Sequence, residues 1–89
     1  MSSLAEVRRL KVTFLSPMKG FFANVFRLRR KLLSLGQIDH STIDWMRGSG
    51  IAEFRLRTEK NAEEILEETA TLSLAGTITC GEEHDREMA

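Results

Sequence analysis

From Arg9 to Leu15 the chain alternates. Leu10, Val12 and Phe14 fall on one side and Lys11 and Thr13 on the other, the two-residue period of a strand with one buried face. The period then changes. Phe21, Val25, Leu28, Leu32 and Leu35 recur at steps of four and three, an apolar stripe down one side of a helix, widened by Phe22, Phe26 and Leu33. Ser16-Pro17 is expected to open that helix, with the serine oxygen accepting from free backbone N–H groups and the proline at the first helical position. Gly36 is placed to close it in the left-handed conformation.

The segment from Ile38 to Met46 follows, with Ile43 and Trp45 two apart. Arg47-Gly48-Ser49-Gly50 reads as a turn, and Ile51 to Arg57 alternates again, with Ala52, Phe54 and Leu56 on one side. Two such runs about a glycine-rich turn predict a hairpin. Thr58 or Asn61 caps a second helix whose inner face is Ala62, Ile65, Leu66 and Thr69 and whose solvent face is glutamate. Leu72, Leu74, Ile78 and Cys80 share the parity of a last strand, interrupted at Ala75-Gly76. The order is βαββαβ. It predicts an α+β, ferredoxin-like fold: a four-stranded antiparallel sheet with two helices on one face. The core side of the sheet should carry Leu10, Val12, Ile43, Trp45, Ala52, Phe54, Ile78 and Cys80, with Trp45 read as a core residue. Residues 1–8 are expected to be an N-terminal extension, 9–81 the domain, and 82–89 an acidic tail.

Length and composition narrow the classes. At 89 residues and 42% hydrophobic, the chain makes one small domain with a thin core, too small for a large buried cofactor cavity. No apolar run approaches the roughly 18 residues of a membrane span. The single Cys80 excludes an internal disulfide framework and fits an intracellular, reducing setting, cytoplasmic or nuclear. Its parity makes it an inert buried thiol. The formal charge of zero conceals a split. Residues 1–35 hold eight basic residues and one acid, net +7; residues 59–89 hold two basic residues and nine acids, net −7. Such a split marks either a nucleic-acid-binding half or two adjacent elements that neutralise one another.

Several local strings resemble the RNA-recognition motif. Arg47-Gly48-Ser49-Gly50-Ile51-Ala52-Glu53-Phe54 is similar to the family's eight-residue motif at Arg47, Gly48, Gly50 and Phe54. Leu10-Lys11-Val12-Thr13-Phe14-Leu15 resembles the six-residue motif of the first strand, and Leu35-Gly36-Gln37-Ile38 and Asn61 to Leu66 look like its helix junction and second helix. The likeness covers residues 9–81 and implies the same fold and an association with RNA. In that family rings on the open sheet face stack on bases. Lys11, Ser49 and Ile51 stand at those positions here, so contributions of about 1–3 kcal/mol per stacked base are missing.

A catalytic set does not assemble from the spacing, so the chain is expected not to be an enzyme and to need neither cofactor nor metal. The loop Arg47–Gly50 leads into a strand, and so offers no helix N-terminus to a phosphate. Asp39, His40 and Asp44, or Glu82-Glu83-His84-Asp85, are weak metal candidates at most. The expectation placed first is therefore a binding module for RNA or a ribonucleoprotein. Phosphates would be met by Lys11, Arg27, Arg29, Arg30, Lys31, Arg47, Arg55 and Arg57 in a salt-dependent manner. The alternative is a protein-interaction or dimerisation module, with Met46 and Ile51 at the contact and a free edge strand to pair. A second alternative is a DNA-binding helix-turn-helix whose recognition helix starts at Ser41.

Overall fold

A computed structural model describes residues 6–83. The elements are β1 (Arg8–Pro17), α1 (Phe21–Leu35), β2 (Gln37–Met46), β3 (Ser49–Thr58), α2 (Ala62–Ala70) and β4 (Thr77–Glu82). The four strands form one antiparallel sheet in the order β2-β3-β1-β4. This is the expected α+β, ferredoxin-like layout.

The core follows from the alternation in the two central strands. Register pairs Leu10 with Leu56, Val12 with Phe54 and Phe14 with Ala52, so their inner residues lie side by side. All six are buried beneath Phe21, Val25, Leu28 and Leu32 of α1 and Ile65 of α2. Phe14 and Phe21 stack with ring centroids 6.2 Å apart. Burying each such side chain contributes roughly 1.5–3 kcal/mol. Gly50 serves this packing. A Cβ there would stand 2.7 Å from the Phe21 ring, so the position in the RNA-motif-like string is held by a close approach in the core.

Several expectations need correction. Ser16-Pro17 does not open α1. Strand β1 runs through both, pairing Ser16 with Gly50 and Pro17 with Ser49, and the buried Ser16 hydroxyl donates to the Pro17 carbonyl at 3.0 Å. Proline is tolerated there because the ladder ends with it. The helix starts four residues later, after Gly20 turns the chain in the left-handed region at φ 75°, and Gly36 closes it in an extended conformation at φ 177°, not a left-handed one. The turn of the hairpin is Arg47-Gly48 alone, since Ser49 and Gly50 already belong to β3. Residues 37–46 are a strand, so the recognition helix of a helix-turn-helix is not formed. Asn61 caps α2, whereas Thr58 ends β3, its hydroxyl donating to the Leu35 carbonyl at 2.8 Å and accepting from the Lys60 N–H.

The first and last strands reach one residue past the expected limits of 9 and 81. Arg8 begins β1, and its guanidinium donates to the Glu59 carbonyl and pairs with Glu82 at 3.5 Å. Glu82 ends β4, and the Glu83 N–H donates to the Arg9 carbonyl at 2.8 Å. The rest of the two expected terminal extensions, residues 1–5 and 84–89, lies outside the described residues.

The largest departure concerns β2. Ile43 and Trp45 sit on the helix side of the sheet, opposite Ala52 and Gly50, yet they are 39% and 59% exposed. Parity chose their side correctly. Burial fails because β2 is the outermost strand and no second helix lies over it. Ile78 and Cys80, on the other edge, are only half-buried.

Candidate interaction surface

The eight basic residues expected to meet phosphate fall on two opposite layers. Lys11, Arg55 and Arg57 stand on the open sheet face, where register sets Lys11 beside Arg55 and Arg55 beside His40. Arg47 is at the hairpin tip, and Arg27, Arg29, Arg30 and Lys31 belong to α1, across the sheet. Many of these charges already have protein partners. Arg55 pairs with Glu83 at 3.3 Å, and Arg57 Nε lies 3.0 Å from Asp39 Oδ2. Lys31 pairs with Glu68 at 3.1 Å, and Arg27 donates to the Leu72 carbonyl at 3.0 Å. The Arg30 guanidinium lies 6.0 Å from the Phe26 ring centroid. Exposed pairs of this kind contribute about 0–1 kcal/mol each.

The open face carries Lys11, Ser49 and Ile51 where stacking rings would be needed, and no Phe or Trp of the described residues lies on it. Met46 and Ile51 belong to this face too. Met46 is 70% exposed at the end of β2, while Ile51 is half-buried between Asp44 and Leu15. Asp39 is engaged by Arg57, and among the described residues no group of three His, Cys, Asp or Glu side chains could hold a metal ion. Burial pushes the Cys80 thiol from its ordinary 9.0 up to about 11. At neutral pH it is therefore a poor nucleophile.

A different surface gathers most of the exposed large apolar side chains. On α1, the residues one step round from the buried stripe are Phe22, Phe26 and Leu33, which are 50%, 58% and 46% exposed. Phe22 meets Trp45 of β2 edge to face, with centroids 5.6 Å apart and rings at 74°. Phe22 also contacts Phe21 at 5.2 Å, so a continuous series of rings runs from Phe14 in the core to Trp45 at the rim. Aromatic side chains present about 150–250 Å² each, so these residues with Ile43 expose roughly 500 Å² of mainly apolar surface. Patches of that size on a small monomer are often functional.

Strand β2 forms the floor and border of this patch. It is ten residues long, all exposed except the half-buried Ile38. Protein edges are ordinarily blunted by charged side chains, above all lysine, by proline, by bulges or by short length. β2 contains no Lys, Arg or Pro; its acids are Asp39, engaged by Arg57, and Asp44, and its one irregularity is a register shift between Ile38 and His40, so His40 to Met46 run as a regular edge. The opposite edge, β4, has only six residues. Sequence reading placed Phe22, Phe26 and Leu33 in a widened helical stripe and Trp45 in the core. The signal it passed over was the width itself: one helix cannot bury both stripes against a single sheet.

No protein-family model matches the chain, and no curated protein does. Solved structures do. A crystal structure of an unknown protein from Galdieria sulphuraria is similar over 92% of this chain with a TM-score of 0.70 at 10% identity. The chain spans about half of that protein, 48% of its length. A de novo designed protein, Foldit4, is similar over 91% of this chain and 100% of its own, with a TM-score of 0.62 at 13% identity. At these identities the likeness shows the fold alone.

Proposed function

We propose that this chain is a protein-binding module that receives a partner strand along β2, with the partner's apolar side chains resting on Ile43, Trp45 and Phe22. The observation that carries this reading is the conjunction of a long edge strand without lysine, arginine or proline with the aromatic rim beside it. Strand addition supplies main-chain hydrogen bonds, and alternate side chains on one face supply selectivity. The RNA reading has less support. Its basic residues lie on both sides of the sheet, so a single strand of nucleic acid cannot track all of them, and the open face offers no ring for stacking.

Trp45 is the sole tryptophan, and no tyrosine is present, so its fluorescence reports directly on the site. A decapeptide of alternating valine and threonine, titrated into dilute protein, should shift Trp45 emission to the blue. A mixed-sequence single-stranded RNA at low salt should bind weakly or not at all. The reading fails if the peptide leaves Trp45 unchanged while RNA binds, weakens steeply with salt, and is lost on replacing Lys11 and Arg55.

A further inference from the structure

Resting on that reading, we propose that the partner at β2 is a second copy of this chain. The two β2 strands would pair antiparallel about a two-fold axis at Thr42 to make one eight-stranded sheet. An isologous contact requires a surface complementary to itself, and β2 meets this requirement in both hydrogen-bonding groups and area.

On its open face β2 presents His40, Thr42 and Asp44 in succession. With the axis at Thr42, Asp44 of each copy faces His40 of the other, and Thr42 faces Thr42. Two carboxylate–imidazole pairs and one Thr–Thr pair thus form by symmetry, cross-strand partners able to hydrogen-bond. An axis at Asp44 would instead oppose two carboxylates. On the helix side, the chosen register places Ile43 beside Ser41 of the other copy and diagonal to its Ile43, within side-chain reach.

Area points the same way. A stable interface buries about 800 Å² on each partner. The roughly 500 Å² of Phe22, Phe26, Leu33, Ile43 and Trp45, with the exposed backbone of ten residues, comes close to that figure. Geometry allows their burial. α1 is centred over β3, with β2 and β1 flanking it. Adjacent strands are about 4.8 Å apart, so a β3-β2-β2-β3 sequence separates the two α1 helices by about 14 Å. Helices in direct contact lie 8–10 Å apart. The remaining gap suits the paired rings of Phe22 and Trp45 from each copy, and would be a water-filled trough without them.

The test is sedimentation velocity of the described chain across a wide concentration series, with Trp45 emission recorded on the same samples. The mass should rise from 10.1 kDa toward twice that value, with a blue shift that follows it. Ile43→Lys buries an unpaired charge in the seam and should weaken dimerisation on the order of a hundredfold. Because Ile43 is partly exposed, this variant should retain its fold, checked by circular dichroism. In a Cys80→Ser background, Thr42→Cys should give a disulfide-linked dimer on mild oxidation, and Thr79→Cys on β4 should not. A chain that stays monomeric at every concentration overturns the inference, as does a dimer that crosslinks through Thr79→Cys or is indifferent to Ile43→Lys. If the monomer still binds the valine–threonine decapeptide, only the second copy is overturned. If it binds neither, strand addition at β2 falls as well.

Discussion

Phe54 illustrates how one position ties sequence to stability. It is 1% exposed in the central strand β3, paired with Val12. Truncation to alanine leaves a cavity that its neighbours cannot close, at a cost of about 3–5 kcal/mol. Domains of this size have roughly 5–10 kcal/mol in total. Urea denaturation of Phe54→Ala should therefore show a midpoint near zero denaturant, and an unchanged midpoint would mean that the sheet faces the other way. Cys80 gives a second test. With its pKa raised from 9.0 to about 11, the thiolate fraction at pH 8 is about 100-fold below that of a free thiol, and alkylation should slow by the same factor. The linked stability has a definite sign. The raised value belongs to the folded state, so the contribution is complete below pH 9 and is lost as pH rises toward 11, because the unfolded chain ionises first. Cys80→Ala should remove that component from the pH dependence of the denaturation midpoint.

At the level of elements, α2 depends on its start more than on its length. The Asn61 side chain accepts from the Glu64 N–H and the Glu64 carboxylate accepts from the Asn61 N–H, both at 2.8 Å. This capping box satisfies two donors that a nine-residue helix would otherwise leave open. Asn61→Ala should lower stability by about 1 kcal/mol in thermal denaturation, with Asn61→Asp near wild type. The sequence identified Asn61 because asparagine before an apolar-periodic run is a local signal. It failed to place the start of α1, since Ser16-Pro17 carries an equally good local signal. Ladder pairing of Ser16 with Gly50 and Pro17 with Ser49 is a contact across more than thirty positions, and no local pattern encodes it.

Across the molecule, the basic and acidic ends of the chain meet in the helical layer at one ion pair. Basic α1 lies beside acidic α2, and Lys31 meets Glu68 at 3.1 Å. Both side chains remain partly in water, so the pair is screened and worth little. The double variant Lys31→Ala with Glu68→Ala should change stability by less than about 1 kcal/mol, and a double-mutant cycle should find a coupling of a few tenths. A larger coupling would show that this seam is a structural requirement and not an incidental pairing of opposite charges. The two ends also meet in the sheet, where Arg8 of β1 pairs with Glu82 of β4 at 3.5 Å.

What the sequence determined by itself was the order of elements and the side to which each alternating residue points. Strand and helix periods are local consequences of backbone geometry, so Leu10, Val12, Phe54 and Leu56 were assigned to the inner face without any knowledge of their partners. Only the tertiary structure decided which inward-pointing residues are covered. Trp45 and Ile43 have the same parity as Ala52, yet Ala52 is buried and they are exposed, because strand order places β3 under α1 and leaves β2 at the helix's margin with no further strand beyond it. Burial depends on what stands above a residue, a long-range relation that alternation cannot carry. For the same reason the candidate surface was not legible at the outset: Phe22 of α1 and Trp45 of β2 read as core from their spacing, and become an exposed aromatic rim only when the edge of the sheet is known.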